Sequence, residues 1–147
     1  MSSFAMVSGA NATAGLKNVL GSQLVKCSDD PKTGYYRDGY CRTGPYDNTG
    51  NCHFVCGLMT NKFLQFQLDR KIDLITPDPE YKFPGLKAGD QWCVCAARWR
   101  DAFEANAAPP VLLDATMSKA LDAIYEIKLA DLITHDVQRK FRVDDEL

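Results

Sequence analysis

The stretch Cys52-His53-Phe54-Val55-Cys56-Gly57-Leu58-Met59-Thr60 decides how the rest of the chain is read. Period-two geometry puts Cys52, Phe54, Cys56 and Leu58 on one face of a strand and His53, Val55, Gly57 and Met59 on the other. The first face is expected to be the buried one. Thr60 carries the hydroxyl that a helix N-cap needs, and Phe63, Leu64, Phe66 and Leu68 behind it form an apolar stripe at helical spacing. The same order recurs downstream. In Gln91 to Ala96, Trp92, Val94 and Ala96 share one strand face and Cys93 and Cys95 the other. A helix with Ala96, Trp99 and Phe103 on one side then runs until Pro109-Pro110 stops it.

Outward from these units, Asn18 to Val25 reads as a small hairpin or edge strand around Gly21-Ser22. Val111 to Ala115 reads as a third strand. Thr116 can cap a helix with Met117, Ala120, Leu121 and Ile124 on its apolar side, and a last helix carries Leu129, Leu132, Ile133 and Val137. Two segments resist regular structure. Cys27 to Gly50 is dense in turn formers, and Lys71 to Asp90 is broken by Thr76-Pro77-Asp78-Pro79 and Pro84-Gly85. Loops of such length in compact domains are functional, disordered or cross-linked. The expectation is a single compact α+β domain over residues 17–140, helices packed on a small sheet, with two long ordered loops. Residues 1–16 read as a mobile leader and residues 141–147 as an acidic tail.

With 147 residues and 46% hydrophobic content, one core is expected, large enough to fold without metal or disulfide staples. The net charge of -2 comes without a run of either sign. Nucleic-acid binding needs clustered Lys and Arg, so neither that role nor membrane-surface binding is supported. No apolar stretch reaches the roughly 18 to 20 residues that span a bilayer. The sequon Asn11-Ala12-Thr13 and the final Asp144-Asp145-Glu146-Leu147 hint at the secretory pathway, but no apolar signal core precedes them. A soluble, cytoplasmic protein with free thiols is the expectation, with an organelle or the ER as the alternative.

Six cysteines and His53 carry the chemistry worth weighing. As metal ligands they lack paired knuckles: Cys52 and Cys56 have a suitable spacing but lie on a strand. Cys93 and Cys95 on an extended strand stand roughly 6.6 Å apart, whereas sulfurs sharing one zinc are about 3.7 Å apart. A disulfide between those two meets the same obstacle. As thiol chemistry, Cys95 lies at a helix start where unpaired N–H groups stabilise a thiolate, Arg98 in the first turn adds positive charge, and His53 is a candidate base. The plainest account treats the cysteines as small buried hydrophobes and His53 as a histidine bonded to loop carbonyls. His135 reads as a charge near a helix C-terminus. Among loop polar groups, Arg37, Asp38, Asp73 and Thr76 are candidate ligand-binding residues, though turn stabilisation accounts for such types equally well.

Several phrases together resemble one known family. Cys27-Ser28-Asp29-Asp30-Pro31-Lys32-Thr33-Gly34-Tyr35-Tyr36-Arg37-Asp38-Gly39, then Cys41-Arg42-Thr43-Gly44-Pro45, His53 with Cys56, and Phe83-Pro84-Gly85-Leu86-Lys87-Ala88-Gly89-Asp90-Gln91-Trp92-Cys93-Val94-Cys95-Ala96-Ala97-Arg98-Trp99 are similar to the domain of unknown function 2237, from about Asn18 to Val137. The resemblance implies counterparts for Cys27, Arg37, Asp38, Cys41, His53, Cys56, Asp73, Thr76, Cys93, Cys95 and Arg98, but not for Cys52. It implies no activity. The chain departs from the family at Lys71-Ile72-Asp73-Leu74-Ile75, which weakens a polar role for that loop.

The leading expectation is therefore a small protein that binds a small ligand or performs thiol-dependent chemistry around Cys95, His53 and Arg98. The alternatives are an accessory or interaction protein with structural cysteines, and a metal-stabilised binding module. No cofactor and no metal ligand is assigned, and the partner is an unidentified small molecule or protein.

Overall fold

The computed structural model describes residues 14–43 and 51–138. Residues 1–13 of the leader, which include the sequon, part of the first loop and the acidic tail lie outside the described residues. At the centre is a two-stranded antiparallel sheet. Strand β1 (Val55–Leu58) pairs with β2 (Gln91–Val94) in the register Val55↔Val94, Cys56↔Cys93, Gly57↔Trp92 and Leu58↔Gln91. Each strand leads into a helix, as its sequence requires. Helix α1 (Asn61–Asp69) begins where the Thr60 hydroxyl accepts from the Phe63 N–H at 3.1 Å, satisfying one of the orphan donors of the first turn. Helix α2 (Ala96–Glu104) starts at Cys95, and a short α3 (Leu129–Ile133) follows later. The architecture is α+β, with three helices and a small sheet among the described residues.

The expectation of one buried face on β1 is corrected: Phe54, Val55, Cys56, Gly57 and Met59 are all buried. The reason is a second core. Phe54, Val55 and Met59 join the main apolar core with Phe63, Trp92, Trp99 and Leu132, whereas Cys56 lies in a separate cluster of Cys27, Cys41, Cys93 and Ala115.

The third strand is also corrected. Val111 bridges Gly57 antiparallel and Asp136 parallel, and Leu112 N–H and Met117 N–H donate to Cys56 O and Phe54 O at 2.9 Å. The segment thus lies along β1, but a 3-10 turn over Leu113–Ala115 interrupts it, closed by the Thr116 hydroxyl donating to Leu112 O at 2.8 Å. No α-helix follows. With the Thr116 carbonyl, which would accept the first bond of such a helix, committed to Val19 N–H at 2.9 Å, the chain makes 3-10 turns over Ser118–Leu121 and Ala123–Tyr125, separated by extended Asp122, and leaves Ile124 82% exposed. His135, just past the C-terminus of α3, also packs: its ring lies edge-on to Trp99 and Phe103 at 5.5 and 5.3 Å.

The expected hairpin near Gly21 exists as a tight turn organised by buried Asn18. Its Oδ1 accepts from Leu20 N–H and Ser22 N–H, and its Nδ2 donates to Gln23 O and Asp114 O. Among the described residues no helix is long and apolar enough to cross a membrane.

Candidate functional site

The first loop is ordered by the hydrogen bonds of a few backbone groups and by sulfur. Cys27 N–H donates to Gly39 O and Gly39 N–H to Thr33 O, both at 2.8 Å, which folds the loop back on itself. Gly39 has φ 95°, a conformation that glycine adopts without a Cβ penalty, and a Cβ there would meet the Lys26 side chain at 2.9 Å. The fold-back brings Cys27 and Cys41 onto the sheet, where they bond to Cys56 and Cys93. Cys52 bonds to Cys95, so the expectation of free thiols is overturned for all six cysteines. The geometric objection to pairing Cys93 with Cys95 holds, since each takes a different partner. Cys52, which the resemblance sets aside, is instead the partner of Cys95.

The loop candidates divide by what they hold. Arg37 joins the two long loops: its guanidinium donates to Gly34 O at 2.6 Å, Tyr81 O at 3.0 Å and Lys82 O at 3.4 Å, and lies 5.2 Å from the Trp92 ring centroid. All three acceptors are carbonyls, so among the described residues its charge has no carboxylate partner. Asp38 is a turn residue, accepting from Tyr40 N–H and pairing with Arg42 Nε at 2.7 Å. Asp73 accepts from the N–H groups of Ile75 and Thr76. Its bonds to the Thr76 side chain and to those N–H groups hold its carboxyl below the ordinary value of 3.8.

Two cavities meet above β2. The larger, of about 410 Å³, is bordered by Arg37, Asp73, Thr76, Tyr81 and Phe83; the smaller, of about 270 Å³, by Cys52, Cys95, Arg98, Phe63 and Gln67. His53, Leu74, Trp92 and Cys93 line both. Cys95, His53 and Arg98 therefore border one cavity, and Arg37, Asp73 and Thr76 border its neighbour. Asp38 borders neither.

His53 forms the junction. Its Nδ1 lies 3.1 Å from Asn51 Oδ1, while Asn51 Nδ2 donates to Arg42 O at 3.0 Å, so the oxygen is the atom facing the ring. The proton is therefore on Nδ1, leaving the Nε2 lone pair as the acceptor of the neutral ring. Burial, with the Arg37 charge added, pushes its pKa below the ordinary 6.5 and keeps that form. Arg98, in the first turn of α2, is exposed at the rim of the smaller cavity.

Gln67 is the residue that sequence reading missed. It is 1% exposed, borders the smaller cavity, and neither its Nε2 nor its Oε1 has a hydrogen-bond partner. The signal was available. Gln67 sits four residues after Phe63 and three after Leu64, on the buried face of α1, where an apolar residue belongs. A buried amide without partners costs about 1–3 kcal/mol.

No curated protein matches this chain significantly. Residues 17–136 match the profile of a family described as "uncharacterized protein conserved in bacteria". The chain accordingly belongs to that family, the domain of unknown function 2237.

Proposed function

We propose that this domain binds a small molecule in the two joined cavities, with His53, Leu74, Trp92 and Cys93 as the shared wall. The observation that carries this reading is the buried, unpartnered amide of Gln67. A primary amide offers both donors and an acceptor, so a primary amide or lactam edge satisfies both sides of it, and an ionised carboxylate satisfies its N–H donors. Arg98 at the rim adds attraction for an anionic group, and the His53 Nε2 accepts a hydrogen bond from the ligand. Trp92 and Phe83, packed edge to face at 5.4 Å, give an apolar wall for the rest of the molecule.

A thermal-shift panel of small carboxylic acids and primary amides tests this. Compounds of the matching class should raise the wild-type Tm by a few degrees and leave Gln67→Met unmoved. No response across the panel, or equal responses in both proteins, would count against the reading.

A second reading, thiol–disulfide exchange at Cys52–Cys95, is favoured by accessibility. This pair is half-buried on a cavity wall, whereas Cys27, Cys41, Cys56 and Cys93 are buried. A thiolate from a dithiol substrate would attack Cys52 Sγ, forming a mixed disulfide. The Cys52–Cys95 bond would break, and Cys95 would leave as a thiolate beside the N-terminal N–H groups of α2 and Arg98. Mild reduction followed by iodoacetamide should label Cys52 and Cys95 first. Simultaneous labelling of all six would remove this reading.

A further inference from the structure

The two buried disulfides do not lie apart. The sulfurs of Cys27, Cys41 and Cys93 are all within 4.8 Å of one another, and the fourth, from Cys56, is bonded to that of Cys27. We propose that these four cysteines form a tetrathiolate metal site when reduced, and that the ligand it takes is a zinc ion. This inference does not depend on the ligand-binding reading: of the four cysteines only Cys93 also borders the cavities, and the sulfur cluster lies under the first loop.

Three features support it. A disulfide requires only its own partner nearby, whereas here the Cys27 sulfur also stands within 4.8 Å of both sulfurs of the Cys41–Cys93 bridge, a span that breaking the bridges can relax to the separation of about 3.7 Å that one tetrahedral zinc imposes. The ligands come from a loop and two strands: Cys27 and Cys41 from the fold-back, and Cys56 and Cys93 from facing positions of the sheet. All four cysteines are buried, with Ala115 and Leu112 packed against them, which fits a structural rather than a catalytic ion.

The loop supplies the physical reason for such a site. Residues 27–43 contain no helix or strand, and the two sulfur bridges are their covalent ties to the sheet. A reducing compartment removes those bridges and leaves four buried thiols. Each disulfide takes two electrons from a phosphine reductant and two protons from solvent, water supplying the oxygen of the phosphine oxide. Zinc then displaces the four thiol protons and reconnects the loop to the sheet. The same four side chains thus hold the loop in either redox state.

The test uses the full chain, reduced with a phosphine under argon, given Zn²⁺, and gel-filtered before elemental analysis. About one zinc per chain should be retained, and the Cys52→Ser/Cys95→Ser double variant should retain the same amount. Cys41→Ser and Cys93→Ser should lose it. Since those variants could fail by misfolding, Co²⁺ substitution of the wild type reads the ligand set directly: intense thiolate-to-cobalt charge transfer with tetrahedral d–d bands is the expected spectrum. Retention below roughly a tenth of an equivalent, an octahedral cobalt spectrum, or loss of zinc in the Cys52→Ser/Cys95→Ser variant would overturn the proposal.

Discussion

Cys56 and Cys93 face each other across the two-stranded sheet, yet neither bonds to the other: Cys56 takes Cys27 and Cys93 takes Cys41. Neighbouring strands are thereby stapled to the loop that covers them. The Cys41–Cys93 bridge closes a sequence separation of 52 residues. Replacing both partners with Ala in the oxidised protein should lower stability by about 2–4 kcal/mol, read from urea unfolding. A change near zero would mean that the loop is held without that bridge.

The same two cysteines share a second device. The Thr116 hydroxyl accepts from Cys56 N–H at 3.1 Å and the Thr33 hydroxyl from Cys93 N–H at 2.9 Å, and both threonines are fully buried. Thr116→Val and Thr33→Val keep the shape and strand one buried N–H each, so each should cost about 1–3 kcal/mol. Thr116 also donates to Leu112 O, which makes it the more expensive of the two. Unchanged unfolding midpoints in both variants would contradict this assignment.

These relationships show what was legible in advance. The β1-α1 and β2-α2 units were readable because alternation, the Thr60 cap and the Pro109-Pro110 stop act locally. The helix expected after Thr116 was not, because the Thr116 carbonyl that would accept its first bond is claimed by Val19 N–H, a partner 97 positions earlier in the chain. Disulfide pairing was hidden for the same reason: Cys27 and Cys41 reach the sheet only through the fold-back at Gly39. For the site, the spacing of Cys95 and Arg98 placed them correctly at the start of α2, and no local pattern shows that His53 lies between two cavities. Gln67 was visible as a polar residue on an apolar face, and it was passed over because the stripe around it reads as core.

His53 gives a pH signature. Its pKa is depressed by burial and by Arg37, so the neutral ring is the form the fold prefers. A depressed folded pKa contributes stability that is fully present above the unfolded value near 6.5 and is lost as pH falls through the lower folded value. An NMR titration of the ring should therefore give a midpoint below the ordinary one, and Arg37→Met should raise it. A wild-type midpoint at or above the ordinary value would refute the electrostatic description of the cavity junction.

Gln67 should show opposed effects on stability and binding. With no ligand present, Gln67→Met replaces an unpartnered buried amide with an apolar side chain of similar size and should raise stability by about 1 kcal/mol. A loss of stability instead would mean that the amide is already satisfied within the folded chain.

The most direct measurement follows the Gln67 side-chain amide itself by ¹H–¹⁵N NMR while a carboxylic acid or amide that raises the Tm is added. Its two Nε2 proton resonances should move with saturation of the site and be protected from exchange once bound, while the side-chain amide signals of exposed Gln65 stay in place. Resonances that do not move at saturation would show that the ligand binds elsewhere, and would contradict the assignment of the joined cavities as the binding site.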